Sequence, residues 1–92
     1  MQSIELVVRA EVGLHARPAA AFVKTATAFK CSVNVRNITT PSGPANAKSI
    51  SSVLALGVKQ NHVIEVSAEG GDEAQAIAAL RGLVESNFGE TE

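Results

Sequence analysis

Features that signal catalysis or metal binding are scarce in this chain. It has one cysteine, Cys31, among 92 residues, so no internal disulfide is possible. It has two histidines and no Cys/His cluster with the spacing of metal ligands. Paired carboxylates and a glycine-rich phosphate loop are also missing. We therefore expect no metal site and no cofactor, and neither an independent enzyme nor a small-molecule-binding domain is favoured.

Strong net charge and long apolar runs are absent as well. The formal charge of −1 gives no electrostatic basis for binding nucleic acid or a membrane surface. No apolar stretch is long enough to span a bilayer, and the N-terminus does not resemble a signal peptide. We expect a cytoplasmic protein. The hydrophobic content of 46% suits one small globular domain over residues 1–92.

The apolar pattern predicts alternating strands and helices. Residues 3–9, 31–36 and 63–68 alternate as half-buried strands do, and a short further strand is expected around the Pro/Gly-rich loop 39–46. Apolar residues recur at helical spacing in three other segments, which are residues 16–29, 49–56 and 72–88.

The order of these segments is βαββαβα, which is typical of an α+β protein. The three helical stripes all need one face of one sheet, so we predict an open-faced β-sandwich with helices over one side. At the start of the last helix, Asp72 and Gln75 fit a capping box, with Asp72 as N-cap. His62, before the last strand, is expected at the surface.

The motif Gly-Leu-His-Ala-Arg-Pro at residues 13–18 lies where the first strand gives way to the first helix. His15 is then at or next to the N-cap, Ala16 opens the helix and Pro18 falls in the first turn, where its missing N–H is tolerated. The free N–H groups and the positive helix end favour an anion. A neutral imidazole beside the Arg17 guanidinium suits a phosphoryl group. A lone histidine at a helix start is more often a polar cap, so the pattern alone leaves both interpretations open.

The same motif, followed by Ala-Ala-Ala-Phe-Val-Lys-Thr-Ala at 19–26, resembles HPr, the histidine-containing phosphocarrier family of the sugar phosphotransferase system. Lys-Ser-Ile at 48–50, continuing as Val-Leu-Ala-Leu-Gly-Val at 53–58, is similar to the regulatory-serine helix of that family. Phe-Gly-Glu at 88–90 is a third match. The longer loop before residue 48 is closer to the HPr-like domains of multidomain fructose-type phosphotransfer proteins. Whether the chain is free-standing or part of a longer phosphotransferase is left open.

The resemblance implies a four-stranded antiparallel sheet covered on one face by three helices, and it implies a phosphoryl carrier. His15 would accept phosphate through Nδ1 from enzyme I, which takes it from phosphoenolpyruvate, and pass it to a sugar-specific enzyme IIA. Arg17 would balance the phosphate charge, and the amides of Ala16 and Arg17 would donate to its oxygens. Many family members carry Asn or Ser three residues before the histidine, but Val12 stands there and cannot orient the ring.

Ser49 supports a second hypothesis. By pattern it is a plain N-cap, but some HPr proteins are phosphorylated on this serine by a kinase. The alternative function is therefore a regulatory binding module of the same fold that acts through Ser49 with a serine kinase or a transcription regulator. Lys48, Ile50 and Leu54 are the expected docking residues, although Ser51 replaces a bulky apolar residue there. The intact His15 and Arg17 favour the carrier.

Overall fold

The computed structural model describes residues 1–11, 13–14 and 16–89. Within them the chain alternates between strands and helices, ending in a short 3-10 turn at Asn87–Gly89. The elements are β1 (Gln2–Val7), α1 (Ala16–Thr27), β2 (Ser32–Asn37), β3 (Ala45–Asn46), α2 (Ile50–Leu54), β4 (Val63–Glu69) and α3 (Glu73–Glu85). This is the predicted α+β fold, and the expected fourth strand is β3, at the end of the Pro/Gly-rich loop.

The four strands form one antiparallel sheet in the order β1-β4-β2-β3. Val66 of β4 lies opposite Ile4 on one side and Val35 on the other, so one apolar row crosses three strands. Because side chains alternate along a strand, the intervening polar residues face the opposite side, where Arg36 and Glu65 form a salt bridge with a 2.7 Å contact.

The three helices pack on the apolar face of the sheet, as predicted from their stripes. Phe22 of α1, Val53 of α2 and Leu80 of α3 are completely buried, and they belong to the same hydrophobic core as the sheet residues Ile64 and Val66. Burial of a large side chain such as Phe22 stabilises the folded chain by several kcal/mol, since replacing it with alanine typically costs about 3–5 kcal/mol. The predicted spans are confirmed apart from end shifts. α1 ends at Thr27 rather than at residue 29, and α3 ends at Glu85 rather than at residue 88.

The capping box predicted for α3 is wrong. Asp72 occupies the N-cap position, but its side chain makes no capping hydrogen bond. Its carboxylate instead accepts the backbone N–H of Lys30 at 2.9 Å and that of Cys31 at 3.0 Å. Glu73, not Gln75, turns back, and its carboxylate accepts the N–H of Gly70 at 3.1 Å. The Asp72 carboxylate, which the local pattern predicted would cap α3, therefore binds backbone N–H groups before β2 instead.

The contact between Asp72 and the start of β2 also sets two pKa values. The N–H of Lys30, and then the Cys31 side chain, hold the pKa of Asp72 below its ordinary value of 3.8. Burial raises the pKa of the Cys31 thiol above its ordinary 9.0, and the neighbouring Asp72 carboxylate raises it further. Gly70 makes this close packing possible, because a Cβ there would lie 2.6 Å from Cβ of Cys31.

Candidate functional site

The chain enters α1 pressed against the α2–β4 connection, which we define as residues 55–62. The N–H of Leu14 donates to the carbonyl oxygen of Val58 at 3.0 Å. Gly13 has a φ of +66°, and a Cβ on it would lie 2.2 Å from that same oxygen and 2.6 Å from Cα of Lys59. Only glycine fits both the conformation and the space. Leu14 is buried, so the two residues before position 15 are fixed by backbone and core contacts together.

The sequence motif continues into the first turn of α1. Ala16 begins the helix as predicted, Arg17 is exposed, and Pro18 is buried. His15 and Val12 lie outside the described residues. An arginine in this position is unfavourable for the helix itself, because cations are destabilising near the positive N-terminal end. The first turn of α1 contains no acidic residue to offset it, and no salt bridge among the described residues involves Arg17.

Ser49 caps α2, as the pattern predicted. Its backbone is extended, and its side-chain oxygen accepts the N–H of Ser52 at 3.4 Å. Within α2, Val53 is buried while Ile50 and Leu54 are 44% and 36% exposed. The two exposed side chains, which we call the α2 patch, lie on the outer side of the helix layer.

Lys48 does not lie beside the first turn of α1. Its ammonium group is half-buried and donates to the carbonyl oxygen of Phe29 at 2.6 Å, just beyond the last turn of that helix. Since α1 has twelve residues and a helix rises about 1.5 Å per residue, this contact is about 18 Å from Arg17. The side chain thus satisfies a carbonyl at the end of α1, and its contact with a docking partner stays a prediction.

Other sequence expectations concern residues away from the motif. Cys31 is buried directly before β2, at the start of the segment in which the alternation at residues 31–36 predicted a strand. His62 is half-buried rather than at the surface, because its ring packs against the buried Asn37. Among the described residues, no group of Cys, His, Asp and Glu side chains is arranged to hold a metal ion. No helix in the same part of the chain has the length and apolar character needed to cross a bilayer.

Sequence reasoning missed the role of the α2–β4 connection. Two residues of this connection, Gly57 and Asn61, adopt positive φ angles of +63° and +70°. The N–H of Asn61 donates to the carbonyl oxygen of Val8, and the N–H of Val8 donates to the backbone carbonyl oxygen of His62. Gly57 signalled the end of a helix, but nothing local indicated that the following residues would support the Gly-Leu-His motif.

The geometry and the sequence motif agree with a comparison against protein families. A family model described as "PTS HPr component phosphorylation site" matches residues 2–86. The chain belongs to the HPr family. This confirms the resemblance drawn from the motifs, and with it the class of phosphocarriers of the phosphotransferase system.

Multiphosphoryl transfer proteins and phosphocarrier proteins named HPr both match nearly the whole chain. The chain is 41% identical over 88 residues to the multiphosphoryl transfer protein of Escherichia coli O157:H7, covering 96% of this chain and 23% of that protein. It is 40% identical over 88 residues to the phosphocarrier protein HPr of Mycoplasma pneumoniae, covering 95% of this chain and 97% of that protein. The chain thus spans between 17% and 23% of the length of these multiphosphoryl transfer proteins.

A solved structure confirms the fold. The crystal structure of HPr-C-His from Thermoanaerobacter tengcongensis superimposes with a TM-score of 0.93 at 44% sequence identity, and each chain is covered completely. The chain therefore has the HPr fold, with the sheet order and the layer of three helices described above.

Proposed function

We propose that this HPr domain carries a phosphoryl group on His15, received from enzyme I and passed to a sugar-specific enzyme IIA. The observation that carries the proposal is the exposed Arg17 in the first turn of α1, two residues after His15 in a chain of the HPr family. The chain acts as a carrier and not as an enzyme, because the partner proteins supply the machinery for each transfer.

The first turn of α1 suits a phosphorylated neighbour. The first N–H groups of a helix have no intrahelical acceptor, so those of Ala16 and Arg17 are available to phosphate oxygens. The guanidinium of Arg17 carries a charge that the helix itself disfavours and that a phosphate would neutralise. A local feature that costs stability, and that has no salt-bridge partner in the part of the chain that the structure describes, is the kind expected at a functional site.

The rest of the layer supports docking of a partner. The α2 patch, Ile50 and Leu54, presents apolar side chains to solvent on a helix that packs directly against α1. Leu54 lies at the end of α2 that leads to Val58, and Val58 contacts Leu14. A partner covering this patch would also reach the first turn of α1. We propose the α2 patch as the common contact surface for enzyme I and enzyme IIA.

The proposal is tested by intact-protein mass after incubation with phosphoenolpyruvate and an enzyme I that phosphorylates another HPr. The wild-type chain should gain the mass of one phosphoryl group, and acid should remove it, because phosphohistidine is acid-labile. His15→Ala should gain nothing. The matched control is His62→Asn, which alters the only other histidine and should be phosphorylated like wild type.

Three outcomes would contradict the proposal in different ways. No gain in the wild-type chain would exclude transfer from a general enzyme I. A gain that persists in His15→Ala would place the phosphate elsewhere. An acid-stable gain that needs ATP and a kinase would move the function to Ser49. If the chain is phosphorylated by enzyme I, adding enzyme IIA should remove the phosphoryl group and return the mass of the chain to its unmodified value.

A further inference from the structure

Asn37 is the one polar side chain that is fully buried in the described part of the chain, with 1% exposure. It ends β2. Its Oδ1 accepts the N–H of Thr40 at 3.1 Å. Its Nδ2 lies 3.4 Å from the carbonyl oxygen of Leu56 and 3.1 Å from Nδ1 of His62. A buried amide destabilises a fold unless its donors and acceptors are satisfied, and here each has a partner.

The two contacts of the Nδ2 group reach both ends of the α2–β4 connection. Its two N–H bonds allow one donation to Leu56 and one to His62. The second donation requires Nδ1 of His62 to be an acceptor, so the ring proton is assigned to Nε2. The backbone N–H of His62 is also bound, to the carbonyl oxygen of Lys59 at 3.0 Å. A single buried amide thus spans the connection from one end to the other.

The middle of that connection supports the Gly-Leu-His motif. Val58, between the two ends held by Asn37, accepts the N–H of Leu14 and contacts Gly13. Leu14 is covalently next to His15. A shift of the connection would therefore move the carbonyl oxygen of Val58, to which the backbone N–H before His15 donates. Asn37 could act in this way without its own side chain coming near the phosphate.

We propose that Asn37 is a positioning residue for phosphoryl transfer, acting through His62 and the α2–β4 connection on the backbone at Leu14. The proposal rests on the proposed function of His15 for its consequence in transfer. Its structural half, the coupling between Asn37 and the Leu14 amide, does not depend on that function. An error of about 1 Å at a reacting group is enough to slow a transfer step markedly.

The coupling is tested by hydrogen exchange of the Leu14 amide, measured by NMR relative to the Val66 amide in the centre of the sheet. In His62→Leu the acceptor for Asn37 is lost, and Leu14 should exchange about fivefold faster relative to Val66. In His62→Asn the side-chain oxygen restores an acceptor near the position of Nδ1, and the rate should return toward wild type. Asn37→Leu should accelerate exchange at Leu14 by about tenfold or more, because it removes both donations.

Ser42→Ala is the matched control. Its hydroxyl accepts the N–H of Asn37 at 3.1 Å, so the variant removes a hydrogen bond to the same residue on the loop side, away from the α2–β4 connection. Exchange at Leu14 relative to Val66 should not change. The rate of His15 phosphorylation by enzyme I should fall in His62→Leu and remain near wild type in His62→Asn and Ser42→Ala.

Each result decides the proposal. Faster exchange at Leu14 with slower phosphorylation in His62→Leu, reversed in His62→Asn, supports it. If hydrogen exchange becomes faster by the same factor at Leu14 and at Val66, the role of Asn37 is purely structural and the proposal is overturned. Unchanged exchange at Leu14 also overturns the proposal. If wild type is not phosphorylated at all, the proposed function fails, while the exchange comparison still decides the coupling. If Asn37→Leu does not fold, the two His62 variants decide it.

Discussion

The carboxylate of Asp72 accepts the backbone N–H of Cys31 at 3.0 Å and joins two positions 41 residues apart in the chain. It links the start of α3 to the residue before β2, and a second donation, from Lys30, completes the pair. Hydrogen bonds to a charged carboxylate are stronger than those to a neutral acceptor. The charge of Asp72 is therefore part of the tertiary structure, and its protonation should weaken the fold.

The stability of the chain should depend on pH through Asp72. Its pKa is lower in the folded state than its ordinary 3.8, so its contribution is complete above that value. As pH falls, the unfolded state takes up the proton first, and the contribution is lost as pH passes through the lower folded pKa. Between about pH 5 and about pH 2, Asp72→Asn should lose less free energy of unfolding than wild type. Urea unfolding at several pH values measures this, and parallel curves for the two proteins would contradict it.

Cys31 should react slowly in the native protein. Burial and the Asp72 carboxylate raise the pKa of its thiol, and the thiolate is the reactive form. Iodoacetamide should modify the folded chain at neutral pH more than about a hundredfold more slowly than the urea-unfolded chain. Modification followed by mass spectrometry gives both rates. Comparable rates would show that the thiol is accessible in the native state.

Gly13 should be among the least replaceable glycines. Gly13→Ala places a Cβ 2.2 Å from the oxygen of Val58 in a left-handed conformation, and we expect a loss of about 2–4 kcal/mol. Gly57 also has a positive φ, but a Cβ added there would have no atom within 4 Å. Gly57→Ala should therefore lose only about 1 kcal/mol of unfolding free energy, through conformational strain. Gly43→Ala has neither problem and serves as the control. Urea unfolding ranks the three, and equal losses at Gly13 and Gly57 would exclude the contact with Val58 as the cause.

Arg17 should lower stability while it supports function. Arg17→Ala removes a cation from the positive end of α1 and should stabilise the chain by about 0.3–1 kcal/mol. The same variant should slow phosphorylation of His15 by about tenfold or more, because the phosphate loses its charge partner. Lys24→Ala is the control, since Lys24 lies in the last turn of α1 and its removal should destabilise the helix. Thermal unfolding and the rate of phosphoryl gain test both parts, and a destabilised Arg17→Ala would refute the helix argument.

The α2 patch should matter for docking more than for folding. Ile50→Ser and Leu54→Ser alter exposed side chains, so the free energy of unfolding should change by less than about 1 kcal/mol. The apparent KM of enzyme I for the carrier should rise by about tenfold. Val7→Ser is a matched control, because Val7 is 38% exposed on the other face of the sheet. An unchanged KM in both α2 variants would remove the patch from the docking surface.

Much of the fold followed from periodicity, because the sheet and helices each bury one face. Strand residues such as Val33 and Val35, and helix residues such as Phe22 and Leu80, are buried as their spacing predicted. The ends of elements were less predictable, since they depend on turns and tertiary contacts. β3 could not be placed from pattern because only its two residues, Ala45–Asn46, pair with β2.

The contacts that sequence reasoning missed share a physical feature, which is that they join residues distant in sequence. Asp72 matched a helix cap but binds the N–H groups beside β2. Lys48 was expected only as a docking residue, yet its ammonium group also donates to the carbonyl oxygen of Phe29, 19 residues away. His62 followed polar residues and was expected in solvent, yet it packs against Asn37. The motif at residues 13–18 identified the family because its residues are adjacent in sequence, whereas the hydrogen bond from Leu14 to Val58 joins it to the other half of the chain.

The strand order has a consequence for synthesis of the chain on the ribosome. β4 lies between β1 and β2 in the sheet, although it is the last of the strands to be translated. Until residue 69 has left the exit tunnel, β1 has no neighbour and β2 can pair only with the two residues of β3. The nascent chain must therefore wait for β4 before long-range pairing can begin. We expect a ribosome-bound chain stalled before β4 emerges to be readily cleaved by protease.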